Sequence, residues 1–260
     1  MRGRLAFKGQ VLTVLLVSVI SSAAGAPRSE SAATAQRYIE KATAAIEAGH
    51  HSLGRSYLDA VVLSPWISPR QRARAYYFRG FSFFSQQLYV SAAQDYARAL
   101  EFNPSQGAAL SALSHMYAEE LGLTRDTAEA FRLALKAGRG GHVRAKVYLG
   151  VALLHGRGVE RDVRKARFWL QSAADHEYAP AYVHLALTYR NGFADEPEPE
   201  IALSWYSRAR DNGDSQATLA IAHMNLHNEF AQAQLAEAVR LFRLLANVGS
   251  GHAQAMLDNM

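Results

Sequence analysis

Apolar side chains recur through most of the chain at spacings of three and four residues, which is the period of an amphipathic helix. One such helical face carries Ala145, Tyr148, Leu149, Ala152 and Leu153, and Gly156 then interrupts the pattern. Because glycine favours the left-handed conformation that ends many helices, we predict a turn at this point. Asp162 can cap a second helix, whose apolar face carries Ala166 and Leu170. The pattern therefore predicts two helices of similar length joined by a turn.

This helix pair repeats with a period of 36 residues. Each repeat has an alanine, a leucine or isoleucine and a small residue on its first helix, and an alanine and a large apolar residue on its second helix. These positions are Ala145, Ala181 and Ala217; Leu149, Leu185 and Ile221; Gly150, Ala186 and Ala222; Ala166, Ala202 and Ala238; and Trp169, Trp205 and Leu241. One step back along the chain reaches Ala109 and Leu113. Residues 107–250 therefore hold four units, and residues 251–260 begin a further unit that does not finish.

The most complete unit, residues 145–174, reads Ala-x-x-x-Leu-Gly, then Gly-x-Gly-Val, Asp-x-x-x-Ala-x-x-Trp and Ala-Ala, and it closely resembles the Sel1-like repeat. Residues 73–106 resemble the tetratricopeptide consensus at Tyr76, Gly80, Phe83, Ala92, Tyr96, Ala99 and Pro104. Residues 27–72 hold a degenerate first repeat and a connector. These resemblances imply an all-α fold, a right-handed superhelical solenoid of antiparallel helical hairpins, with about six hairpins in one continuous stack.

The first 26 residues have the zones of a secretory signal peptide. Arg2, Arg4 and Lys8 precede an apolar run over residues 11–20, and small residues follow it over 21–26. The run has about half of the roughly 20 residues that a membrane-spanning helix needs, so we expect no stable membrane span. A small-residue cleavage site in a chain without cysteine favours a bacterial periplasm, with secretion from the cell as the alternative.

Composition excludes several classes of protein. A chain of 260 residues with 49% hydrophobic and 20% charged residues can bury a core, which excludes a disordered protein. The absence of cysteine excludes disulfide scaffolds, thiolate zinc sites and cysteine nucleophiles. Without the three basic residues of the leader, the 28 basic residues become 25, against 23 acidic ones. This near-neutral balance predicts no nucleic-acid partner.

No arrangement of residues predicts catalysis. The nucleophile-elbow, phosphate-loop and dinucleotide-binding patterns are missing from the sequence, so we predict no cofactor and no enzymatic activity. A hydrolase acting on the cell wall is the less favoured alternative. His223 and His227 lie four residues apart on one helical face, a spacing that can hold a metal. Met224 stands where a metalloprotease helix carries its glutamate, and no third ligand is evident, so we predict no metal site.

The resemblance to stacked hairpins also predicts where a partner binds. In such stacks the first helix of each hairpin lines the concave side, which holds extended peptides or helices. On this surface the resemblance places Arg74, Tyr77, Phe81, Phe84, His115, Arg144, Val147, Val151, Leu187 and Arg190. An exposed apolar and aromatic strip suits an apolar segment of another protein. The alternative is that tight curvature closes the groove and makes these side chains part of the core.

Together these features predict an exported, non-enzymatic scaffold or adaptor in a bacterial envelope assembly. Its partner would be another protein, an envelope or secretion-complex component whose peptide or helix lies in the concave groove. A secreted effector or host-interaction factor with the same fold is the alternative, and self-association into a homo-oligomer is left open.

Overall fold

The structure is a computed structural model that describes residues 28–191, 196–227 and 235–260. The predicted signal peptide, residues 1–26, lies outside the described residues. All regular secondary structure in the described part is helical, which confirms the all-α class. None of the helices described is both long and apolar enough to cross a membrane. The chain divides into two compact units between His142 and Val143, and each is described by itself.

The N-terminal unit consists of three antiparallel hairpins. They pair α1 (Arg28–Glu47) with α2 (His51–Leu63), α3 (Pro69–Ser85) with α4 (Tyr89–Phe102), and α5 (Gly107–Ala118) with α6 (Thr127–Arg139). Each second helix also packs on the first helix of the next hairpin, and α1 touches α3. The degenerate pattern at the start of the chain hides a full helix, because Ile39, Ala42 and Ile46 are buried on one face of α1.

The C-terminal unit repeats the same arrangement. It pairs α7 (Val143–His155) with α8 (Val163–Ala174), α9 (Pro180–Arg190) with α10 (Pro199–Asp211), and α11 (Ser215–Leu226) with α12 (Leu235–Asn247), and it ends with α13 (Gly251–Asp258). The short helix α13 packs on α12 and occupies the place of the unit that the sequence begins and does not finish. The boundary between the two compact units, after His142, coincides with the boundary between two of the 36-residue repeats.

Helix starts are fixed by side-chain caps at equivalent places in the repeat. Asp126 and Asp162 begin second helices 36 residues apart, and each carboxylate accepts a hydrogen bond of 2.9 Å from the backbone N–H three residues later. The side chains of Asp214 and Ser250 cap first helices, and each also accepts a hydrogen bond from the backbone N–H three residues later. Each such cap contributes about 1 kcal/mol. The cap predicted at Asp162 is therefore confirmed, and the repeat encodes both of its helix starts locally.

A left-handed backbone position also recurs every 36 residues. It lies in the turn before a first helix and holds Gly141, Glu177, Gly213 and Gly249, with φ of 88°, 55°, 86° and 91°. Glycine adopts this conformation without steric strain because it has no Cβ. Glu177 is the non-glycine member of this series, yet the chain turns there in the same sense.

A small residue in the middle of most first helices lets the paired helix approach closely. This position holds Gly80, Ser114, Gly150, Ala186 and Ala222, all of them buried. A Cβ on Gly80 would lie 2.9 Å from the ring of Tyr96, and one on Gly150 would lie 2.4 Å from Cγ of Leu170. The Ser114 hydroxyl instead donates a 2.7 Å hydrogen bond to the Ala130 carbonyl of the paired helix. Close approach at this position therefore sets the spacing of the hairpin.

Arg79 on α3 connects α2 and α4 through charge. Its guanidinium donates two hydrogen bonds to Asp95, at 2.8 and 2.6 Å, and one of 2.7 Å to Asp59. The guanidinium also packs over the ring of Tyr76 at 5.1 Å. Burial opposes its charge, but the hydrogen bonds and ion pairs with Asp95 and Asp59 raise the pKa of Arg79. Because the Asp95 side chain is only 7% exposed, its carboxylate depends on this partner.

Replacing Gly80 by alanine tests the close approach within a hairpin. We expect Gly80→Ala to lower the free energy of unfolding of the N-terminal unit by about 1–3 kcal/mol, because the added methyl group overpacks the contact with Tyr96. This loss outweighs the gain of about 1 kcal/mol in helix propensity. Urea denaturation followed by circular dichroism measures it. Gly251→Ala is the control, since its Cβ meets nothing within 4 Å; equal stability of both variants would contradict the steric argument.

Removing the guanidinium of Arg79 tests the ion-pair network. We expect Arg79→Met to lower the free energy of unfolding by about 3 kcal/mol, because the buried carboxylate of Asp95 loses its compensating charge. Adding Asp95→Asn should recover part of that loss. Arg98→Met removes an exposed ion pair with Glu101 in the same unit and should cost much less stability. Similar losses for Arg79→Met and Arg98→Met, measured by urea denaturation, would show that the buried network contributes no more stability than an exposed ion pair.

Candidate partner-binding surface

The predicted aromatic residues of α3 lie on one helical face. Tyr77, Phe81 and Phe84 are spaced by four and three residues, which aligns their side chains along the helix. Tyr77 is half-buried, with its ring centroid 5.7 Å from that of Tyr96, whereas Phe81 is 42% exposed. Phe84 is half-buried and meets the edge of Tyr89 at 5.3 Å. The rings at the two ends of the strip, Tyr77 and Phe84, therefore pack against other aromatic rings of the hairpin. The middle ring, Phe81, is the most accessible.

Two contacts connect this strip to the first helices on either side of α3. Arg74 donates a 3.1 Å hydrogen bond to the side chain of Gln36 on α1. At the other end, the ring of Phe84 lies 6.1 Å from that of His115 on α5, and His115 is exposed. In the N-terminal unit the structure thus places all five predicted residues on first helices and brings Phe84 and His115 together. One face of this unit is therefore formed by α1, α3 and α5.

In the C-terminal unit the predicted residues lie on α7 and α9, two first helices that touch each other. Arg144 is exposed at the start of α7, and Val147 and Val151 follow it half-buried. On α9, Leu187 and Arg190 are half-buried as well. This part of the predicted surface is aliphatic and basic, whereas the part in the N-terminal unit is mainly aromatic.

Burial separates these residues from the core. The buried leucines of the first helices, such as Leu113, Leu149 and Leu185, lie at other positions of the repeat. The predicted apolar residues keep part of their surface accessible within the unit to which each belongs. Some of them, such as Phe81 and Val151, directly follow the small residue of their first helix. The others lie on the same helical face as that position.

Two residues of this face were missed by reasoning from the sequence. Tyr89 begins α4 and supports Phe84, but the rule that assigns the surface to first helices leaves out a residue of a second helix. Gln36 binds Arg74 from a stretch whose repeat pattern is degenerate. A hairpin turn that brings an aromatic residue back onto the strip is the signal that could have identified Tyr89.

Arginines of the C-terminal unit have structural partners within the chain. Arg167 lies with its guanidinium 4.1 Å from the ring centroid of Tyr189 and donates hydrogen bonds to the hydroxyl and the carbonyl of Thr188. Arg161 donates a 3.0 Å hydrogen bond to the carbonyl of Leu154 near the end of α7. Arg167 thus stabilises the contact between α8 and α9, and Arg161 attaches the turn to the end of α7.

His184 on α9 lies in surroundings that disfavour its protonation. Burial lowers its pKa, and the charge of His155 lowers it further, while Asp214 acts in the opposite direction. A neutral imidazole is therefore favoured at this place. In the part of the chain that the structure describes, no group of three or more His, Asp or Glu residues could hold a metal ion.

Three successive segments, residues 107–142, 143–178 and 179–214, match the family model of the Sel1 repeat. This part of the chain consists of Sel1-like repeats. The matched Sel1 repeats contain α5 to α10, and each begins where the 36-residue period of the sequence begins a unit. The Sel1 repeat fold is generally a scaffold for protein–protein interaction.

Solved structures support this assignment of the fold. A protective antigen of uropathogenic Escherichia coli strains, which displays a Sel1-like repeat fold, has a TM-score of 0.71 and 21% identity over 86% of this chain and 48% of its own. A Sel1 repeat protein from Oxalobacter formigenes has a TM-score of 0.61 and 24% identity over 70% of this chain and 74% of its own. The chain thus spans about half the length of the Escherichia coli protein. Among curated proteins, no sequence matches this chain.

His184 predicts how the stability of this Sel1-like repeat protein depends on pH. Its pKa in the folded chain lies below the ordinary value of 6.5, so between these two pH values the unfolded chain binds the proton more readily. Stability should therefore decrease as the pH falls from 7.5 to 5. Thermal unfolding at several pH values measures this decrease, and His184→Gln should make it smaller. Comparison with His176→Gln, at an exposed histidine of the same unit, tests whether the change is specific to His184.

Proposed function

We propose that this Sel1-like repeat protein is a non-enzymatic adaptor of a bacterial envelope assembly, and that it binds a peptide or helix of a partner protein on the face formed by α1, α3 and α5 of its N-terminal unit. The observation that carries the proposal is the aromatic strip of α3, in which Phe81 is 42% exposed between two half-buried rings. Large aromatic side chains that are held in place and accessible to solvent are typical anchors of protein interfaces.

The mechanism is recognition by a preformed surface. Tyr77 and Phe84 are held by Tyr96 and Tyr89, so their rings lose little conformational entropy when a partner binds. An apolar partner side chain can pack against Phe81, while Arg74 and His115 at the two ends of the strip can hydrogen-bond polar groups of the same segment. Affinity would then depend on a few rings, and orientation on the polar residues beside them.

The same proposal includes two further statements: the protein is exported to the periplasm, and it has no enzymatic activity. The Sel1 repeat family is typically a non-catalytic scaffold, and the face formed by the first helices presents apolar and basic side chains. The order of basic, apolar and small residues in residues 1–26 supports export.

Secretion is the second candidate, because one protein of similar fold is described as a protective antigen. A secreted effector would use the same surface toward a host partner. Fractionation of the producing cells distinguishes the two: recovery from the periplasm favours the adaptor of an envelope assembly, and recovery from the medium favours the effector.

Substitution of the most exposed ring tests the binding surface. We expect Phe81→Ala to reduce affinity for the partner by about thirtyfold or more, which corresponds to about 2 kcal/mol for an anchor residue. The partner is first identified by co-purification of the wild type from the envelope fraction under mild crosslinking. Its affinity for purified wild type and variant is then measured by titration calorimetry.

Phe168→Ala is the matched control for this experiment. Phe168 is 65% exposed but lies on α8, a second helix, so its removal should leave binding unchanged. Both variants lose one exposed phenylalanine, and their thermal unfolding should stay close to that of the wild type. Equal affinity of the Phe81→Ala variant and the wild type would show that the partner binds elsewhere than on the aromatic strip of α3.

A further inference from the structure

The second helices of the two units differ in charge. In the N-terminal unit, α2, α4 and α6 hold five basic and four acidic residues, whereas α8, α10 and α12 of the C-terminal unit hold seven basic and three acidic residues. Helix α8 has three basic residues and no acidic one. Most acidic residues of the C-terminal unit lie between its helices instead. Charge is therefore segregated in this unit, with the excess of cations on its helices.

Large apolar side chains are exposed on the same second helices. Phe168 on α8 is 65% exposed, Leu244 on α12 is 51% exposed, and Val248, directly after α12, is 75% exposed. On the first helices α7, α9 and α11, all of whose residues the structure describes, no large apolar side chain is exposed to this degree. The second helices thus present accessible apolar side chains together with an excess of cations.

Leu244 and Val248 replace polar residues of the preceding repeat. Arg208 stands one repeat before Leu244, and Asn212 stands one repeat before Val248. Val248 also lines a cavity of about 230 Å³ together with Leu245 of α12 and residues of α11. The two exposed side chains therefore belong to an apolar patch and are not isolated surface residues.

Cations lie beside these apolar side chains at helical spacing. Arg164 and Lys165 precede Phe168 by four and three residues, and Arg240 precedes Leu244 by four. Residues three or four apart lie on one helical face, so each of these apolar side chains has a basic neighbour. The long stems of arginine and lysine can pack along an apolar side chain while the charged end points away from it.

Leu63 and Val90, two exposed apolar side chains on second helices of the N-terminal unit, lack such neighbours. Asp59 precedes Leu63 by four residues, and Gln86 and Gln87 precede Val90 by four and three. The combination of an exposed apolar side chain with a cation on the same helical face is thus a feature of α8 and α12.

We propose that the second helices of the C-terminal unit bind the surface of a lipid bilayer that contains anionic lipids. Phe168, Leu244 and Val248 enter the boundary between headgroups and acyl chains, and the adjacent cations meet lipid phosphates. The helices stay part of the folded unit, so this is a peripheral attachment. The surface is distinct from the aromatic strip of α3, so the inference goes beyond the proposed function and does not rest on it.

Two of these cations have a carboxylate partner three residues earlier in the chain. Lys165 pairs with Asp162 at 2.8 Å, and Arg240 pairs with Glu237 at 2.6 Å. Both cations are largely exposed, and exposed pairs of this kind contribute little stability, so a lipid phosphate can take the place of the carboxylate. Arg243 on α12 is exposed as well and adds a further cation to this surface.

Binding of the purified protein to lipid vesicles tests the proposal. Vesicles of phosphatidylcholine alone are compared with vesicles of phosphatidylcholine and phosphatidylglycerol in equal parts, and bound protein is measured by co-sedimentation. We expect binding to the anionic vesicles to be about tenfold or more tighter, and to weaken as the salt concentration rises. Equal binding to both kinds of vesicle, or binding to neither, would overturn the proposal.

A matched pair of double variants tests the apolar contribution. Leu244→Ala with Val248→Ala removes a leucine and a valine from the proposed surface and should weaken binding to the anionic vesicles about tenfold. Leu63→Ala with Val90→Ala removes the same two side-chain types from exposed positions of the N-terminal unit and should bind as the wild type does. All four side chains are exposed, so thermal unfolding of both variants should stay close to that of the wild type. An equal loss of binding in both variants, or in neither, contradicts the assignment of the surface.

A second pair of double variants tests the charges. Lys165→Gln with Arg243→Gln should weaken binding to the anionic vesicles about tenfold or more. Arg98→Gln with Lys136→Gln removes the same net charge from exposed positions of α4 and α6 and should have a much smaller effect. If both pairs weaken binding equally, net charge alone controls adsorption and the proposed surface is wrong. The vesicles contain no protein partner, so these results do not depend on whether the strip of α3 binds one.

Discussion

The close approach of two helices at one small residue is the constraint on which the hairpins depend. Gly80, Ser114, Gly150, Ala186 and Ala222 hold this position, and at Gly80 and Gly150 even an added Cβ would press on a side chain of the paired helix. Because the spacing is tight, alanine and leucine are sufficient to fill most of the core. The same constraint fixes the outer face, since the next residue along the helix is rotated by about 100° away from the contact. That next residue belongs to the surface on which we propose a partner binds.

Local features of this fold could be predicted from the sequence, and features that join distant residues could not. Helix caps such as Asp162 depend on residues three positions apart, so one repeat contains the whole signal. Arg79 binds Asp59 and Asp95, which lie 20 and 16 residues away on two other helices. No periodic pattern indicates which of many charges will meet. The full length of α1 was also hidden, because its apolar residues follow a helical period without the consensus of the repeat.

The candidate surface shows the same division. The repeat position predicted that Phe81, Val151 and Leu187 would share one face of the first helices, because the helical period alone determines that direction. The degree of exposure of each ring depends on neighbours from other helices, such as Tyr89 beside Phe84. The contact between His223 and His252 required the docking of α13, which a truncated repeat pattern does not specify. The helical face on which a residue lies was thus predictable, whereas the residues of other helices that it contacts were not.

The left-handed turn that precedes the first helices also bears on how such an array changes in length. Gly141, Gly213 and Gly249 adopt nearly the same φ, and Glu177 adopts a similar one at the equivalent place. A segment that starts and stops at such turns has matching backbone geometry at its two ends. Duplication or deletion of 36 residues between them would leave each junction with the conformation that it had before. Recombination in whole multiples of this period is therefore the form of sequence change that the backbone tolerates best.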